Sequence, residues 1–259
     1  MDEGKIAALA GQLFNAERSR KAIPPLTEQE PSLTADDAYR IQLVNVKRAV
    51  EMGHVISGKK IGLTSEGIQK QFGVNEPDYG HLFAAMDCKD GNINTAALLQ
   101  PKIEGEIAFI LKADLAGGKV TRDDVVKAAD YVVAAFEIVD SRIAGWKIKL
   151  PDTVSDNASS GRYVLGTRRL KLEEADLPSV SMKLYKNGAL AGEGTGAAVL
   201  GDPGVSVAWL ANRLWSYGVT LKAGEVILSG AFSAAPPAVK GDVFIAEFSS
   251  FGKVEARFV

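Results

Sequence analysis

Cysteine and histidine are scarce in this chain, which has one cysteine, Cys88, and two histidines, His54 and His81, among 259 residues. A single cysteine excludes an intrachain disulfide, and an unpaired thiol is typical of a reducing compartment. These residues cannot assemble the nitrogen- and sulfur-rich ligand shells that zinc prefers. Any metal that the chain binds must therefore have oxygen ligands.

The chain also lacks an excess of one charge and any long apolar run. Its 30 basic and 32 acidic residues give a formal net charge of −2 and are spread along the sequence, which gives no support to a nucleic-acid or membrane-surface partner. No apolar run approaches the roughly 18 residues of a membrane-spanning helix, and the N-terminus has no apolar signal core. We therefore expect a soluble, unprocessed, cytoplasmic protein that binds neither nucleic acid nor membrane.

Two carboxylates stand two residues apart in the otherwise apolar run at residues 101–110. Side chains alternate across a strand, so Glu104 and Glu106 should project from one face while Ile103 and Ile107 pack on the other. Two like charges held this close raise at least one pKa unless a cation lies between them. The pair therefore indicates a shared proton or a metal site; the alternative is an exposed edge strand whose acids face water.

A third carboxylate favours the metal site. Glu137 ends a second apolar run, at residues 131–136. An all-carboxylate shell is typical of Mg²⁺ or Mn²⁺, hard ions that keep several waters and leave coordination positions open to a chelating substrate. Such a centre is suited to 2-oxo acids.

The spacing of apolar residues predicts an α+β protein with a mixed sheet or β-roll. The first 50 residues have helical spacing, and Thr34 followed by Asp37 predicts a helix start. Strand-like character begins near residue 55, and Asn187-Gly188 predicts a hairpin turn. Further helices are expected at residues 122–131 and 206–217, and strands at 226–231, 243–248 and 254–259.

Other polar residues are candidates for chemistry. Lys60 lies in a strand-like run, where an ammonium group is costly unless it faces a cavity or a counter-charge; an ordinary surface lysine is the alternative. Asp78 lies between a proline and a glycine, a setting more typical of a turn residue. The polar segment 156–161 has the composition of a connection, but functional residues concentrate on such loops.

Five segments in this order carry a family resemblance: Gly58–Ser65, Glu76–Gly80, Lys102–Ile107, Glu137–Arg142 and Asp156–Ser159. With these segments, and with the C-terminal run at 252–258, the chain resembles the 2-keto-4-pentenoate hydratase and 4-oxalocrotonate decarboxylase group of the fumarylacetoacetate hydrolase superfamily. The likeness runs nearly end to end. A series of motifs in the right order is far more specific than any one of them.

The resemblance implies an α+β fold of the fumarylacetoacetase type, a mixed β-roll or sandwich. It implies a helical N-terminal part over residues 1–75, a catalytic domain over residues 76–259, and a homo-oligomer. It further implies that Glu104, Glu106 and Glu137 bind one Mg²⁺ or Mn²⁺ and that Lys60 lines the same pocket. The substrates of the group are small unsaturated 2-oxo or 2-hydroxy acids from the meta-cleavage of aromatic rings.

Two reactions compete within this group. The hydratase adds water to 2-hydroxypenta-2,4-dienoate to give 4-hydroxy-2-oxopentanoate, whereas the decarboxylase removes CO₂ from 2-oxohex-3-enedioate (4-oxalocrotonate). The Pro-Asp-aromatic-Gly pattern around Asp78 resembles hydratases. Asp140 departs from the glycine of many pentenoate hydratases, which keeps the decarboxylase and a 2-oxohept-enedioate hydratase open.

By the same resemblance, we assign catalytic proton transfer to Lys60 and Asp78. Asp156, Ser160 and Ser229 are candidates to contact the substrate carboxylate or a bound water. A non-catalytic subunit that stabilises a neighbouring enzyme of the pathway is the alternative from another class, and a complex with such an enzyme stays open. Acylpyruvate hydrolysis has less support because no histidine is a convincing base.

Overall fold

Helices gather towards the N-terminus in the computed structural model, which describes residues 1–259 except for the side chains at positions 66, 71 and 72. The helices are α1 Glu3–Ser19, α2 Leu26–Gln29, α3 Ala35–Glu51, α4 Glu66–Phe72, α5 Arg122–Ala128, α6 Leu150–Ser155 and α7 Pro203–Trp215. The strands are β1 Ile56–Gly62, β2 Asp78–Phe83, β3 Asn92–Ile93, β4 Pro101–Leu111, β5 Ala129–Asp140, β6 Ser160–Leu165, β7 Ser181–Lys186, β8 Ala189–Thr195, β9 Val226–Leu228, β10 Val243–Phe248 and β11 Gly252–Phe258. These elements confirm the α+β class.

The described strands form two sheets, with the orders β2-β1-β9-β4-β5-β6 and β3-β11-β10-β7-β8. The first sheet is mixed, because β1 is parallel to β9 while β4 is antiparallel to β5 and β9. In the second sheet, β7 and β8 form a hairpin, and the turn residues Asn187 and Gly188 have φ values of 51° and 83°. Both positive values match the predicted hairpin turn.

The two sheets pack face to face. Ile103, Ile107 and Phe109 project from one face of β4 into the main apolar cluster, which also contains Phe244 of β10. The sheets approach closely at Gly105, where an added Cβ would lie 2.2 Å from the sulfur of Met182 on β7 and 3.6 Å from Ala246 on β10. This packing confirms the expected sandwich and leaves the opposite face of β4 to Glu104 and Glu106.

Side-chain caps fix the starts of the long N-terminal helices. Asp2 accepts a hydrogen bond from the Lys5 amide at 2.9 Å, and Thr34 accepts one from the Asp37 amide at 3.1 Å. The predicted start of α3 is therefore confirmed. The apolar faces of these helices form a second cluster, with Ile6, Leu9, Leu13, Leu26 and Ile41. Among the described residues, no helix is long and apolar enough to cross a membrane.

Some predicted boundaries differ in the structure. The helix expected at 122–131 ends at Ala128, and β5 begins at Ala129, because the apolar run that follows pairs with β4 along its length. The division at residue 75 stays a prediction, but β1 lies on its N-terminal side and pairs with β2 and β9 on its C-terminal side. The first sheet therefore crosses that division.

We expect Gly58→Ala to destabilise the fold. An added Cβ at Gly58 would lie 1.9 Å from the carbonyl oxygen of Val226, where β1 runs beside β9. Overpacking of this kind costs about 1–3 kcal/mol or more. In the matched control, Gly11→Ala, nothing lies within 4 Å of the added Cβ, and helix α1 should gain about 0.5–1 kcal/mol. Urea unfolding measures both changes, and equal midpoints would contradict this packing.

The pH dependence of stability should report on His81. Burial, and then the charge of Lys59, lowers the pKa of His81 from 6.5 to about 3. Between about pH 3 and pH 6.5, the unfolded chain binds a proton at this histidine that the native chain does not bind. The contribution of His81 to the free energy of unfolding is therefore fully present above pH 6.5 and is lost as the pH falls towards about 3. His81→Gln should reduce the slope of the unfolding free energy against pH by up to about 1.4 kcal/mol per pH unit. Parallel stability curves for the two proteins would refute this.

Candidate metal centre and active site

Three carboxylates meet on the face of the first sheet that points away from the sandwich core. Glu104 of β4 is paired directly with Glu137 of β5, and Glu106 is the next residue on the same face of β4. One carboxylate oxygen from each lies within 4.8 Å of the others. Glu106 and Glu137 are fully buried, whereas Glu104 is partly exposed. The structure therefore brings together the predicted ligands; their role as ligands stays a prediction.

The donor set fits a hard divalent cation. Glu106 accepts a hydrogen bond from the Gly230 amide at 2.9 Å through Oε2, but Glu106 Oε1 and Glu137 Oε2 have no hydrogen-bond partner among the described residues. Burial, and then the neighbouring Glu137, raises the pKa of Glu106 well above its usual value. Burial also raises the pKa of Glu137 to about 8 despite the opposing effect of Lys60. A cation bound by oxygen ligands would remove this cost.

Lys60 lies against this centre. It is 2% exposed, its Nζ lies 3.3 Å from Glu137 Oε1, and it donates a hydrogen bond to the Ala158 carbonyl at 2.9 Å. Burial by itself lowers the pKa of Lys60, but the surrounding carboxylates, Glu137 first, raise it overall. Lys60 is therefore a buried ammonium group that is paired with a carboxylate. This agrees with the expectation that an ammonium group in a strand-like run needs a counter-charge.

Asp78 is the first residue of β2 and is 4% exposed. Its Oδ2 accepts a hydrogen bond from Thr153 Oγ1 at 2.6 Å, and its Oδ1 lies 3.9 Å from Lys60 Nζ. Within the described residues, Asp78 Oδ1 has no hydrogen-bond partner. The structure therefore places both predicted catalytic residues together, and one carboxylate oxygen of Asp78 is held while the other is open.

Gly62 makes room for this pair. It follows Lys60 by two residues on β1 and so shares its face of the strand. An added Cβ would lie 2.5 Å from Asp78 Oδ1 and 3.0 Å from Lys60 Nζ. Sequence reasoning missed this requirement, although a glycine inside a strand pattern signals the close approach of other atoms. It also missed Thr153, for which the sequence holds no signal.

The carbonyl that accepts from Lys60 lies in a strained segment. Asn157, Ala158 and Ser159 are consecutive non-glycine residues with φ values of 55°, 48° and 52°, each costing about 1–3 kcal/mol. Asn157 docks on β2, accepting from the His81 amide at 2.7 Å and donating to the His81 carbonyl at 2.9 Å. These bonds hold the segment with the Ala158 carbonyl facing Lys60.

Asp156 holds the same segment from the other side. Its carboxylate accepts hydrogen bonds from the Arg142 amide at 3.0 Å, the Ser141 hydroxyl at 3.2 Å and the Ser159 hydroxyl at 3.1 Å, and it pairs with the Arg142 guanidinium. Asp156 is 2% exposed and does not line the cavity beside Lys60. The hydrogen bonds indicate that it orders the backbone around the site, and the predicted substrate contact stays untested.

The two predicted serines also lie outside the cavity lining. Ser160 Oγ donates to the Asn157 carbonyl at 2.8 Å, and Ser229 Oγ donates to the Ile107 carbonyl at 2.7 Å. Neither residue lines the cavity beside Lys60. The structure thus groups Lys60, Asp78 and the three glutamates, while Ser160 and Ser229 lie outside the cavity lining and their predicted substrate contact stays untested.

A cavity of about 340 Å³ opens onto Lys60, Asp78 and Glu104. Its remaining walls are largely apolar and are formed by residues that include Leu63, Ile68, Val139, Ile148 and Phe232. Lys102 and Trp146 also line it, and the Lys102 ammonium lies 4.3 Å from the centre of the Trp146 ring. The cavity therefore has charged residues at one side, largely apolar walls and a further positive charge from Lys102. This combination suits a small organic acid.

Comparison with known proteins agrees with this geometry. The model of the fumarylacetoacetate (FAA) hydrolase C-terminal family matches residues 84–259. The chain is 44% identical over 260 residues to 2-hydroxyhexa-2,4-dienoate hydratase of Comamonas testosteroni, covering 99% of this chain and 98% of that protein. It is 46% identical over 250 residues to 2-keto-4-pentenoate hydratase of Paraburkholderia xenovorans, covering 96% and 93%.

A solved structure is also similar to this chain along its whole length. The 4-oxalocrotonate decarboxylase of Pseudomonas putida G7, complexed with magnesium and adipate, superimposes with a TM-score of 0.96 at 39% identity. The match covers 100% of this chain and 99% of that one. The relatives thus include both of the reactions that the sequence left in competition.

Replacing one buried glutamate should weaken metal binding. We expect Glu106→Gln to lower the affinity for Mn²⁺ by about 100-fold or more, because an inner ligand contributes more than an outer-sphere partner, whose loss costs about 10–100-fold. Titration calorimetry, or the Mn²⁺ paramagnetic resonance signal, measures this. Glu247→Gln is the matched control, since Glu247 is exposed on β10 in the other sheet. Equal affinities for the three proteins would exclude the proposed ligand.

Proposed function

The chain belongs to the fumarylacetoacetate hydrolase family, and from this premise we propose that it is a divalent-metal-dependent hydratase that converts 2-hydroxypenta-2,4-dienoate to 4-hydroxy-2-oxopentanoate. The single observation that carries the proposal is the cluster of three glutamates beside the Lys60–Asp78 pair, with Lys60, Asp78 and Glu104 lining one cavity. Identity of 46% to a 2-keto-4-pentenoate hydratase supports the same reaction. In this proposal, the enzyme acts in the meta-cleavage breakdown of aromatic compounds.

The proposed cofactor is Mg²⁺ or Mn²⁺, held by Glu104, Glu106 and Glu137. When bound, such an ion supplies positive charge that stabilises an anionic oxygen of a 2-oxo or 2-hydroxy acid. A divalent ion is supported by the magnesium in the similar decarboxylase. The preference for these two metals rests on the hardness of a carboxylate-only donor set.

Lys60 is placed to act on the oxygen at C2 of the substrate. Its Nζ keeps one hydrogen bond to the Ala158 carbonyl and lies between Glu137 and Asp78. An ammonium group in a buried site stabilises a developing enolate oxygen more strongly than it would in water. Lys60 can therefore stabilise negative charge on the C2 oxygen while the dienol loses its hydroxyl proton and gains a proton at C5, and it can donate a proton to that oxygen after water has added at C4.

Asp78 is placed to orient the water that adds at C4. The hydrogen bond from Thr153 fixes one of its oxygens, and the second oxygen has no described partner. A carboxylate held in this way can accept a proton from water as the new carbon–oxygen bond forms. The apolar walls of the cavity, including Leu63 and Phe232, limit access of other water to the unsaturated chain.

A second candidate reaction is decarboxylation of 2-oxohex-3-enedioate, and Lys102 is the observation that favours it. Its ammonium group lines the cavity and could pair with the distal carboxylate of a diacid. The similar decarboxylase was solved with adipate, itself a diacid. A longer diacid hydratase has the same support from Lys102. A purely partner-stabilising subunit has less, because it would not require the buried charges.

Asp140, in contrast, does not distinguish a pentadienoate substrate from a diacid. Its side chain accepts hydrogen bonds from the Leu99 amide at 2.9 Å and the Gln100 amide at 2.6 Å. It fixes the chain that enters β4 and does not line the cavity. The sequence departure at this position is therefore explained by backbone hydrogen bonding.

Turnover assays decide between the two reactions. The purified protein with Mg²⁺ is offered 2-hydroxypenta-2,4-dienoate and 2-oxohex-3-enedioate separately, and the products are identified. Formation of 4-hydroxy-2-oxopentanoate from the first substrate supports the hydratase. Release of CO₂ from the second alone would replace the proposal with the decarboxylase, and silence on both would overturn both.

Adjacent lysines on β1 provide a matched pair of variants. We expect Lys60→Met to lower kcat about 100- to 10,000-fold, the range for loss of a proton-transfer group. Lys59 is also buried, but its Nζ pairs with Glu225 at 2.7 Å, away from the site. Lys59→Met should retain most of the turnover, and melting temperatures report whether each variant folds. Equal loss in both folded variants would contradict the role of Lys60.

A further inference from the structure

A second cavity, of about 430 Å³, lies between α1, α3 and the segment at residues 155–162. None of the residues that line it lines the cavity beside Lys60. Its lining includes four arginines, two carboxylates and one histidine, which give a net charge of +2 when the histidine is neutral. The second cavity is therefore separate from the metal centre and opposite to it in charge.

The positive charge of the second cavity is largely unpaired. Arg142 is paired with Asp156, but Arg18, Arg20 and Arg162 form no ion pair with a described carboxylate. Glu17 is the other acidic residue at this wall. Guanidinium groups are well suited to carboxylates because they donate in a planar fork. Arg20 donates to the carbonyls of Ala96 and Glu17, Arg162 donates to the Gly161 carbonyl, and Arg18 lies over the Phe14 ring. The remaining guanidinium N–H groups are open to an anion.

A buried hydroxyl is an independent sign of a ligand. Ser155 lines the second cavity and is 2% exposed, yet its Oγ has no hydrogen-bond partner among the described residues. Buried polar groups are normally satisfied. Phe14, Phe83 and Met86 form apolar parts of the same wall. The occupant that matches these features is a small organic acid with a short apolar body.

The segment that lines the second cavity also contacts Lys60. Asp156 and Ser160 line the second cavity, while between them the Ala158 carbonyl accepts the hydrogen bond from Lys60. A ligand that moves this segment must therefore alter the position of Lys60. We propose that the second cavity is a regulatory site for a small organic carboxylate, and that its occupancy changes turnover through Lys60.

Calorimetry with succinate as the probe tests the binding part. Glu106→Gln without added metal ion serves as the background protein, because no bound cation then attracts a carboxylate to the metal centre. We expect one succinate per chain in this background and at least tenfold weaker binding when Arg18→Gln and Arg162→Gln are added. Arg168→Gln in the same background is the control, since Arg168 is exposed and lies outside the second cavity. No binding, or binding unaffected by the two arginine replacements, would overturn the proposal.

Steady-state kinetics of the otherwise native protein test the coupling. Succinate at the second cavity should change kcat to a finite plateau, and the Arg18→Gln, Arg162→Gln double variant should lose that response. An increase in KM alone, equal in both proteins, would mean competition at the metal centre and would overturn the coupling. The calorimetry needs no turnover, so a failure of the proposed reaction can be told apart from a failure of this site.

Discussion

The burial of like charges around Lys60 is the constraint on which the rest of this structure depends. Glu104, Glu106, Glu137 and Asp78 surround a single ammonium group, an excess of three negative charges when all are ionised. Such an excess is costly in a protein interior unless it is neutralised. A divalent cation would reduce it to one, and the same burial raises the pKa of Glu106 and of Glu137.

Rigid and strained parts of the fold share the task of holding these charges. The glutamates project from β4 and β5, the long central strands of a sheet packed on a second sheet. Thr153 comes instead from α6, and the Ala158 carbonyl comes from the segment that follows it, with three residues in the left-handed region. Strain of this kind persists only where surrounding contacts enforce it, and here the Arg142–Asp156 pair and Asn157 do so. The glutamates are therefore positioned by the central strands, whereas the groups that hydrogen-bond to Asp78 and Lys60 are positioned by α6 and the segment after it.

Part of this site was predictable because its signals are local. The alternation of a strand places Glu104 and Glu106 on one face, and the cost of burying an ammonium marks Lys60. Thr153 was missed because its role is defined by Asp78, which lies far from it in sequence, and Gly62 was missed because the crowding there arises where Lys60 meets Asp78 of another strand. Ser229 was proposed for the substrate, but its hydroxyl is used by a backbone carbonyl of the next strand. A polar residue near a motif does not reveal which partner it meets.

The sequence by itself determined the α+β class, the hairpin turn and the helix cap at Thr34, and it limited the donors for any metal to oxygen, because each depends on neighbouring residues or on composition. Only the tertiary structure decided that β1 joins the first sheet and brings Lys60 to Glu137, since strand order arises from pairing between distant segments. It also decided that residues 155–160 contribute to the walls of two separate cavities, one beside the glutamate cluster and one rich in arginine. Such a juxtaposition has no local pattern, because it is formed by the packing of helices and strands that are remote along the chain.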